Sequence, residues 1–338
     1  MTTKTASRPK TSAKTPAKTS GKASTKSKTK PAVFIDGEAG TTGLEIRRRL
    51  ADVSSLTVKS IAPEKRKDQA ARLALMRESD LVVLCLPDDA AREAVALIDT
   101  LGADAPKIVD ASTAHRVADG WVYGFPEMDL AQAQAVRNAK RVSNPGCYPT
   151  AGIALIRPLV EAGIIPADYP ITVNAVSGYS GGGRSMIETY EAGTAPAFEL
   201  YGLTFKHKHV PELQTYSKLT RRPIFVPSVS NYRQGMLVSV PLHLDTLPGK
   251  PAARDLHAVL EKHYAGARLV KAMPLGEAAA KDIRLEPEAL NGSDVLELYV
   301  YASDKHPQAV LVARLDNLGK GASGAAVQNI GLMLGVAT

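Results

Sequence analysis

One cysteine and one pair of histidines are the residues of this chain whose types and settings can do chemistry. Cys147 lies in Ser143-Asn144-Pro145-Gly146-Cys147-Tyr148-Pro149-Thr150, a polar Gly/Pro turn that runs into an apolar, helix-like segment. A thiol at a helix N-terminus meets unpaired N–H groups and the positive end of the macrodipole, which lower its pKa and favour the nucleophilic thiolate. The other cysteine, Cys85, lies inside Leu81-Val82-Val83-Leu84-Cys85-Leu86, which reads as a fully buried strand, so it is expected to pack as a small hydrophobe. In Phe205-Lys206-His207-Lys208-His209-Val210-Pro211-Glu212-Leu213, two imidazoles stand at i and i+2 among lysines. One of them suits a general acid/base for the thiol, with the lysines attracting an anionic substrate. The competing reading is a solvated basic loop before a helix. No further ligand pattern accompanies the pair, so no metal is expected.

Two glycine loops sit within the same frame. Gly37-Glu38-Ala39-Gly40-Thr41-Thr42-Gly43 follows a strand-like run and opens a helix-like one, which is the setting of a dinucleotide-binding turn. Its spacing is G-x-x-G-x-x-G, so the context carries more of the argument than the pattern. Gly37, Gly40 and Gly43 permit a tight turn, and Thr41 and Thr42 stand at a helix N-terminus able to hold a pyrophosphate. At the end of the second strand, Lys59 and Ser60 are followed by Lys65, Arg66 and Lys67, with no acid to hold a ribose 2′-hydroxyl. A hydroxyl and cations there favour a 2′-phosphate, hence NADP(H) over NAD(H). Gly178-Tyr179-Ser180-Gly181-Gly182-Gly183-Arg184 is glycine-dense enough to wrap a ligand, with Arg184 as an anion contact. Asp110-Ala111-Ser112-Thr113-Ala114-His115-Arg116 follows another strand, at the edge where doubly wound sheets bind ligands.

The elements that must position these residues form a regular series. Strand-like runs at 32–36, 56–61, 81–86 and 107–110 are apolar on both faces and alternate with helical stretches. That pattern predicts a Rossmann-type, doubly wound parallel sheet. After the cysteine, a helix over 150–162 and strands at 171–176, 224–229, 236–244, 295–302 and 308–315 predict a second α+β unit with a mixed or antiparallel sheet. The small-residue-rich stretch 321–336 reads as a closely packed helix returning to the first unit. The expected organisation is a tail over 1–31, a cofactor unit over 32–146 joined by 316–338, and a catalytic and oligomerisation unit over 147–315.

Charge is unevenly spread over the 338 residues. The formal net charge is +8, but residues 1–31 hold eight lysines and Arg8 with no acid, leaving residues 32–338 one negative charge. The tail has no apolar periodicity and is expected to be disordered, attracting polyanions such as nucleic acid only nonspecifically. Two cysteines give no disulfide framework, and no apolar stretch reaches membrane-spanning length. A cytoplasmic protein outside the membrane is expected.

Taken in order, six motifs resemble one family, the shorter bacterial N-acetyl-γ-glutamyl-phosphate reductases, within the aspartate-semialdehyde-dehydrogenase-like superfamily. They are G-E-A-G-T-T-G at 37–43, L-P-D-D-A at 86–90, S-N-P-G-C-Y-P-T at 143–150, S-G-Y-S-G-G-G-R at 177–184, H-K-H-V-P-E at 207–212 and K-G-A-S-G-A-A-V-Q-N at 320–329. The resemblance covers residues 32–338 and departs at S-T-A-H-R (112–116), where the longer form has S-A-D-F-R, so it carries over Arg116 and leaves His115 without a role. It implies NADPH-dependent reduction of an acyl phosphate to an aldehyde through a Cys147 thioester. His209 is then the first choice for acid/base and His207 the second, with Arg116 and Arg184 as anion contacts. Asn144 is implied beside the substrate and the nicotinamide, while Pro87 and Asn317 are implied at the cofactor. A dimer or tetramer is also implied. Aspartyl phosphate or an aminoadipate derivative is the rival substrate, and a nucleotide-sensing protein without catalysis is the rival class.

Overall fold

Ala32-Val33-Phe34-Ile35-Asp36 is apolar on both sides of its pleat and forms β1 (Ala32–Asp36), an interior strand of a six-stranded sheet. The computed structural model describes residues 1–3, 5, 30–275, 284–303 and 305–338, so the expectation for the lysine-rich tail lies almost wholly outside the described residues. The chain continues through α1 (Thr41–Ala51), β2 (Thr57–Lys59), α2 (Gln69–Arg77), β3 (Leu81–Leu84), α3 (Asp88–Asp99) and β4 (Lys107–Asp110). It then forms β5 (Val122–Tyr123), α4 (Gln132–Asn138) and β6 (Arg141–Ser143). The strand order is β2-β1-β3-β4-β6-β5 and every pairing is parallel. Two apolar clusters cover its two faces, one around Ile46 and Ile330, the other around Met76 and Ile98. Burial on both faces is why these strands read as continuous apolar runs.

The second sheet has seven strands. Its elements are α5 (Cys147–Glu161), β7 (Thr172–Gly178), α6 (Arg184–Glu191), β8 (Phe198–Leu200), α7 (Val210–Tyr216), β9 (Ile224–Ser230), β10 (Met236–His243), α8 (Ala253–His263), β11 (Val270–Ala272), β12 (Leu296–Ala302) and β13 (Gln308–Leu315). The order is β11-β12-β13-β10-β7-β9-β8, with β7–β9 and β11–β12 parallel and the rest antiparallel. Val238, Val240 and Leu242 of β10 point inward with Ala309, Leu311 and Ala313 of β13, toward α5 and α8. Alternate residues leave the opposite face open.

Helix α5 is the central post, buried continuously from Tyr148 to Leu159. Pro158 inside it removes one backbone donor and leaves the Ala154 carbonyl without its helical partner. The Tyr264 hydroxyl, from just after α8, donates to that carbonyl at 3.0 Å. A π-helical turn at Gly319–Ser323 then leads into α9 (Gly324–Leu334), which packs on α1 and α4 beside the parallel sheet. Several expected bounds shift: β2 keeps only three residues, β3 stops before Cys85, and α5 begins at Cys147 itself.

Candidate functional site

The cysteine turn is held by a carboxylate from a distant part of the chain. Gly146 is the N-cap of α5, and its N–H donates to Glu212 Oε2 at 2.9 Å. Glu212 lies in the first turn of α7, with His209 at that helix's N-cap. Its carboxylate is buried and also accepts from Arg116 Nη1 at 2.8 Å and from the Tyr123 hydroxyl at 2.9 Å. One acid therefore joins the cysteine turn, the candidate anion-binding arginine and a strand of the parallel sheet.

Gly146 is required by what surrounds it. A Cβ there would lie 2.7 Å from both Arg116 Nη1 and His209 Nε2. On the other side, a Cβ at Gly321 would lie 2.8 Å from the Cys147 Cβ, so the π-helical turn packs directly on the candidate nucleophile. Such turns recur at functional sites because they re-aim backbone that an α-helix would hide. Lys320 anchors this one from behind, donating to Glu127 Oε2 and Gln328 Oε1 at 2.7 Å each. The Asn144 amide donates to the Ala322 carbonyl at 2.9 Å and accepts from Asn329 at 3.1 Å.

The electrostatics correct the expectation of a ready thiolate. Burial pushes the Cys147 thiol up to about 11, against the opposing pull of Arg116 and the Tyr148 and Cys147 N–H groups, while Glu212 adds to the rise. Helix position alone therefore does not decide the protonation state. Burial, with the charges of Arg116, His207 and Lys208, holds His209 well below the usual histidine range. Burial and Lys208 bring His207 down to about 4. Both imidazoles are neutral at pH 7. His207 Nδ1 accepts the His209 backbone N–H at 3.1 Å, and His209 Nδ1 is buried without a hydrogen-bond partner. His209 is the more deeply set of the two.

Cys147, His207, His209, Arg116, Asn144 and Asn317 line one cleft of about 370 Å³, and Thr41 and Thr42 of the first glycine loop line it too. Gly181, Gly182 and Gly183 of the second loop line it as well. Asn317 accepts the Gly235 N–H at 2.8 Å and donates to Ser180 Oγ at 2.9 Å, tying that loop down. Arg184 is not among the lining residues; its guanidinium donates to the Ala39 carbonyl of the glycine loop at 2.5 Å. A larger depression of about 770 Å³ lies on the open face of the seven-stranded sheet, but no cysteine or histidine lines it. Among the described residues, no three or more His, Cys, Asp or Glu side chains gather as a metal site.

The first loop fits a dinucleotide. Gly37 takes φ +91°, and a Cβ on it would lie 2.3 Å from the Cys85 carbonyl oxygen. At Gly43 a Cβ would lie 2.6 Å from the Gly37 carbonyl oxygen. Gly40 is the N-cap of α1 and no side chain caps that helix, so its first-turn donors suit a pyrophosphate. Ser60 and Arg66 stand just past β2, and Pro87 is the N-cap of α3 after β3. Cys85 sits behind the loop, its thiol pushed up to about 12 by burial, then by Asp110 and Asp36. Glu212, Tyr123 and Gly321 carry no individual role in the sequence reading. The His209 to Glu212 spacing of three, across a helix start, was the available sign for Glu212.

Comparison with known proteins agrees with this architecture. The family model "Semialdehyde dehydrogenase, NAD binding domain" matches residues 32–136, and "Semialdehyde dehydrogenase, dimerisation domain" matches residues 147–317. The fold is similar to the crystal structure of aspartate semialdehyde dehydrogenase II from Vibrio cholerae complexed with ASA (TM-score 0.65, 16% identity, 90% of this chain and 98% of that one) and to the solved structure of aspartate semialdehyde dehydrogenase from Francisella tularensis (TM-score 0.68, 12% identity, 90% and 100%). Sequence relatives stand much nearer. The chain is 54% identical over 306 residues to the N-acetyl-gamma-glutamyl-phosphate reductase of Chelativorans sp. (strain BNC1), covering 89% of this chain and 97% of that protein. It is 54% identical over 308 residues to N-acetyl-gamma-glutamyl-phosphate reductase 2 of Pseudomonas putida (strain KT2440), covering 90% and 97%. With that identity extending over nearly the whole folded length, the chain belongs to the N-acetyl-γ-glutamyl-phosphate reductase family.

Proposed function

We propose that this protein reduces N-acetyl-L-glutamyl 5-phosphate to N-acetyl-L-glutamate 5-semialdehyde with release of phosphate, using NADPH and a covalent Cys147 intermediate. The observation that carries the reading is the cleft itself, where Cys147, His209 and Arg116 face the glycine loop. The aspartate semialdehyde dehydrogenases share only the fold with this chain, whereas the close relatives carry the glutamyl-phosphate name.

The Cys147 sulfur attacks the acyl carbonyl, forming a C–S bond as the C–O bond to phosphate breaks. A neutral His209 accepts the thiol proton. Burial pushes the thiol up and holds the imidazole down, so both directions disfavour a preformed thiolate–imidazolium pair. Proton transfer therefore accompanies attack, as general-base catalysis. Arg116 binds an oxygen of the anionic substrate, its forked donors suiting phosphate or carboxylate. Asn144 orients the substrate, and Arg184 reaches its anionic end once released from Ala39. Gly37, Gly40, Thr41, Thr42, Gly43, Ser60, Arg66, Pro87 and Asn317 would hold NADPH, which when bound would supply the hydride needed to bring the thioester to the aldehyde level. The His209 proton returns to Cys147 as the thiohemiacetal collapses.

Two copies are proposed to pair through the open face of the seven-stranded sheet, where Phe198, Leu200, Ile224 and Val310 are exposed and apolar. No helix among the described residues is long and apolar enough to cross a membrane, and a cytoplasmic setting suits the free thiols. The deciding experiment is intact-mass measurement of the protein with substrate and no NADPH. An acyl adduct on Cys147 is expected; an adduct on Cys85, or none, overturns the mechanism.

A further inference from the structure

Glu38, the second residue of the glycine loop, is buried, with its side chain 8% exposed. Its Oε2 accepts from Arg47 Nη1 at 2.6 Å, and the same nitrogen lies 2.5 Å from Ser60 Oγ. Arg66 Nη2 approaches the other carboxylate oxygen at 3.6 Å. Three segments thus meet at one place: the glycine loop, the second turn of α1 and the chain just past β2. In a doubly wound sheet that is where the adenosine ribose lies. The sequence reading names Ser60 and Arg66 there, but gives no role to Arg47 or Glu38.

The arrangement inverts the usual division of labour. A carboxylate beside the ribose ordinarily accepts the free 2′-hydroxyl and repels a 2′-phosphate, which selects NADH. Here the carboxylate is present, yet it comes from the glycine loop and is already engaged by Arg47. The guanidinium has five donors, and Arg47 keeps about half of its side chain exposed, so donors remain for an incoming anion. Two arginines against one acid leave a net positive charge. Pinning Arg47 to Glu38 and Ser60 also removes much of the side-chain entropy that anion capture would otherwise cost.

We propose that Arg47 determines cofactor choice in two ways: with Ser60 it grips the 2′-phosphate of NADPH, and it masks Glu38, the acid that would otherwise accept the 2′-hydroxyl of NADH. This rests on the end of β2 being the adenosine subsite. The test is calorimetric titration of the full-length protein, at one ionic strength, with NADPH, NADH, adenosine 2′,5′-bisphosphate and 5′-AMP. In Arg47→Ala, binding of NADPH and the bisphosphate weakens about thirtyfold, in keeping with the loss of charge-assisted hydrogen bonds. Binding of NADH and 5′-AMP tightens in the same variant, and adding Glu38→Gln abolishes that gain. The substitution is on a half-exposed helix face and alanine favours helix, so the fold survives, as a thermal melt checks. Equal weakening of NADPH and NADH, or no change in either, overturns the proposal. Failure of the subsite reading shows separately, because the unsubstituted protein would then bind the bisphosphate no better than 5′-AMP; that result overturns the proposal as well.

Discussion

The chain's two cysteines end up in similar burial and opposite company. Cys85 follows β3 and Cys147 opens α5; burial is the main reason both thiols are pushed up, to about 12 and about 11. The neighbouring charges differ. Asp110 and Asp36 push Cys85 further from ionisation, whereas Arg116 and two backbone N–H groups pull Cys147 toward it. Cys85 also stands behind the glycine loop, while Cys147 lines the cleft with His209. Reactivity is thus set less by how deeply a sulfur is buried than by which groups share its burial.

The comparison breaks first if the two sulfurs prove interchangeable. Cys147→Ser is expected to lower kcat at least about a thousandfold, because serine replaces the only sulfur placed to form the thioester. NADPH affinity, measured by titration, stays within about twofold, since Cys147 lies outside the pyrophosphate turn. A loss of cofactor binding equal to the loss of turnover would make Cys147 a structural residue like Cys85.

A smaller effect sharpens the role of the charges. Glu212→Gln leaves the buried Arg116 without its carboxylate partner, which costs about 3 kcal/mol of stability in thermal or denaturant unfolding. Turnover falls about a hundredfold as Arg116 and the Gly146 turn lose their shared anchor. The thiol moves the other way. Glu212 pushes the Cys147 pKa up and Arg116 pulls it down, so removing the carboxylate lowers that pKa and speeds alkylation at pH 8. Slower turnover with faster alkylation of Cys147 alone points to positioning; damage to the fold would expose Cys85 as well and label both thiols.

What the sequence made legible follows from how local each feature is. The parallel sheet was readable because strands covered on both faces, such as Leu81–Leu84, advertise themselves as unbroken apolar runs. The glycine loop was readable because Gly37 and Gly43 answer to close backbone approach within one turn. The short edge strands β5 and β8 carry too few residues for a period to show. Glu212 was hidden for another reason: its partners Arg116, Tyr123 and Gly146 are brought to it only by docking α7 against α5 and the parallel sheet. The same docking buries Cys147, so the helix-terminus argument predicted the pull on its proton correctly and missed the larger opposing effect.

The finest test of the comparison is the pH dependence of alkylation in the ligand-free protein, using iodoacetamide and peptide mass mapping. Only the thiolate reacts, and below its pKa the thiolate fraction rises tenfold for each pH unit. With the Cys147 thiol near 11, its rate is expected to climb about tenfold per unit from pH 7 to pH 10 with no plateau. Cys85 should stay unmodified across that range, because its thiol is held higher still and faces the back of the glycine loop. A Cys147 plateau near pH 7 would mean a standing thiolate and a helix terminus strong enough to overcome burial. General-base assistance by His209 would then be unnecessary at the moment of attack, and its proton transfer would belong to the later collapse to aldehyde.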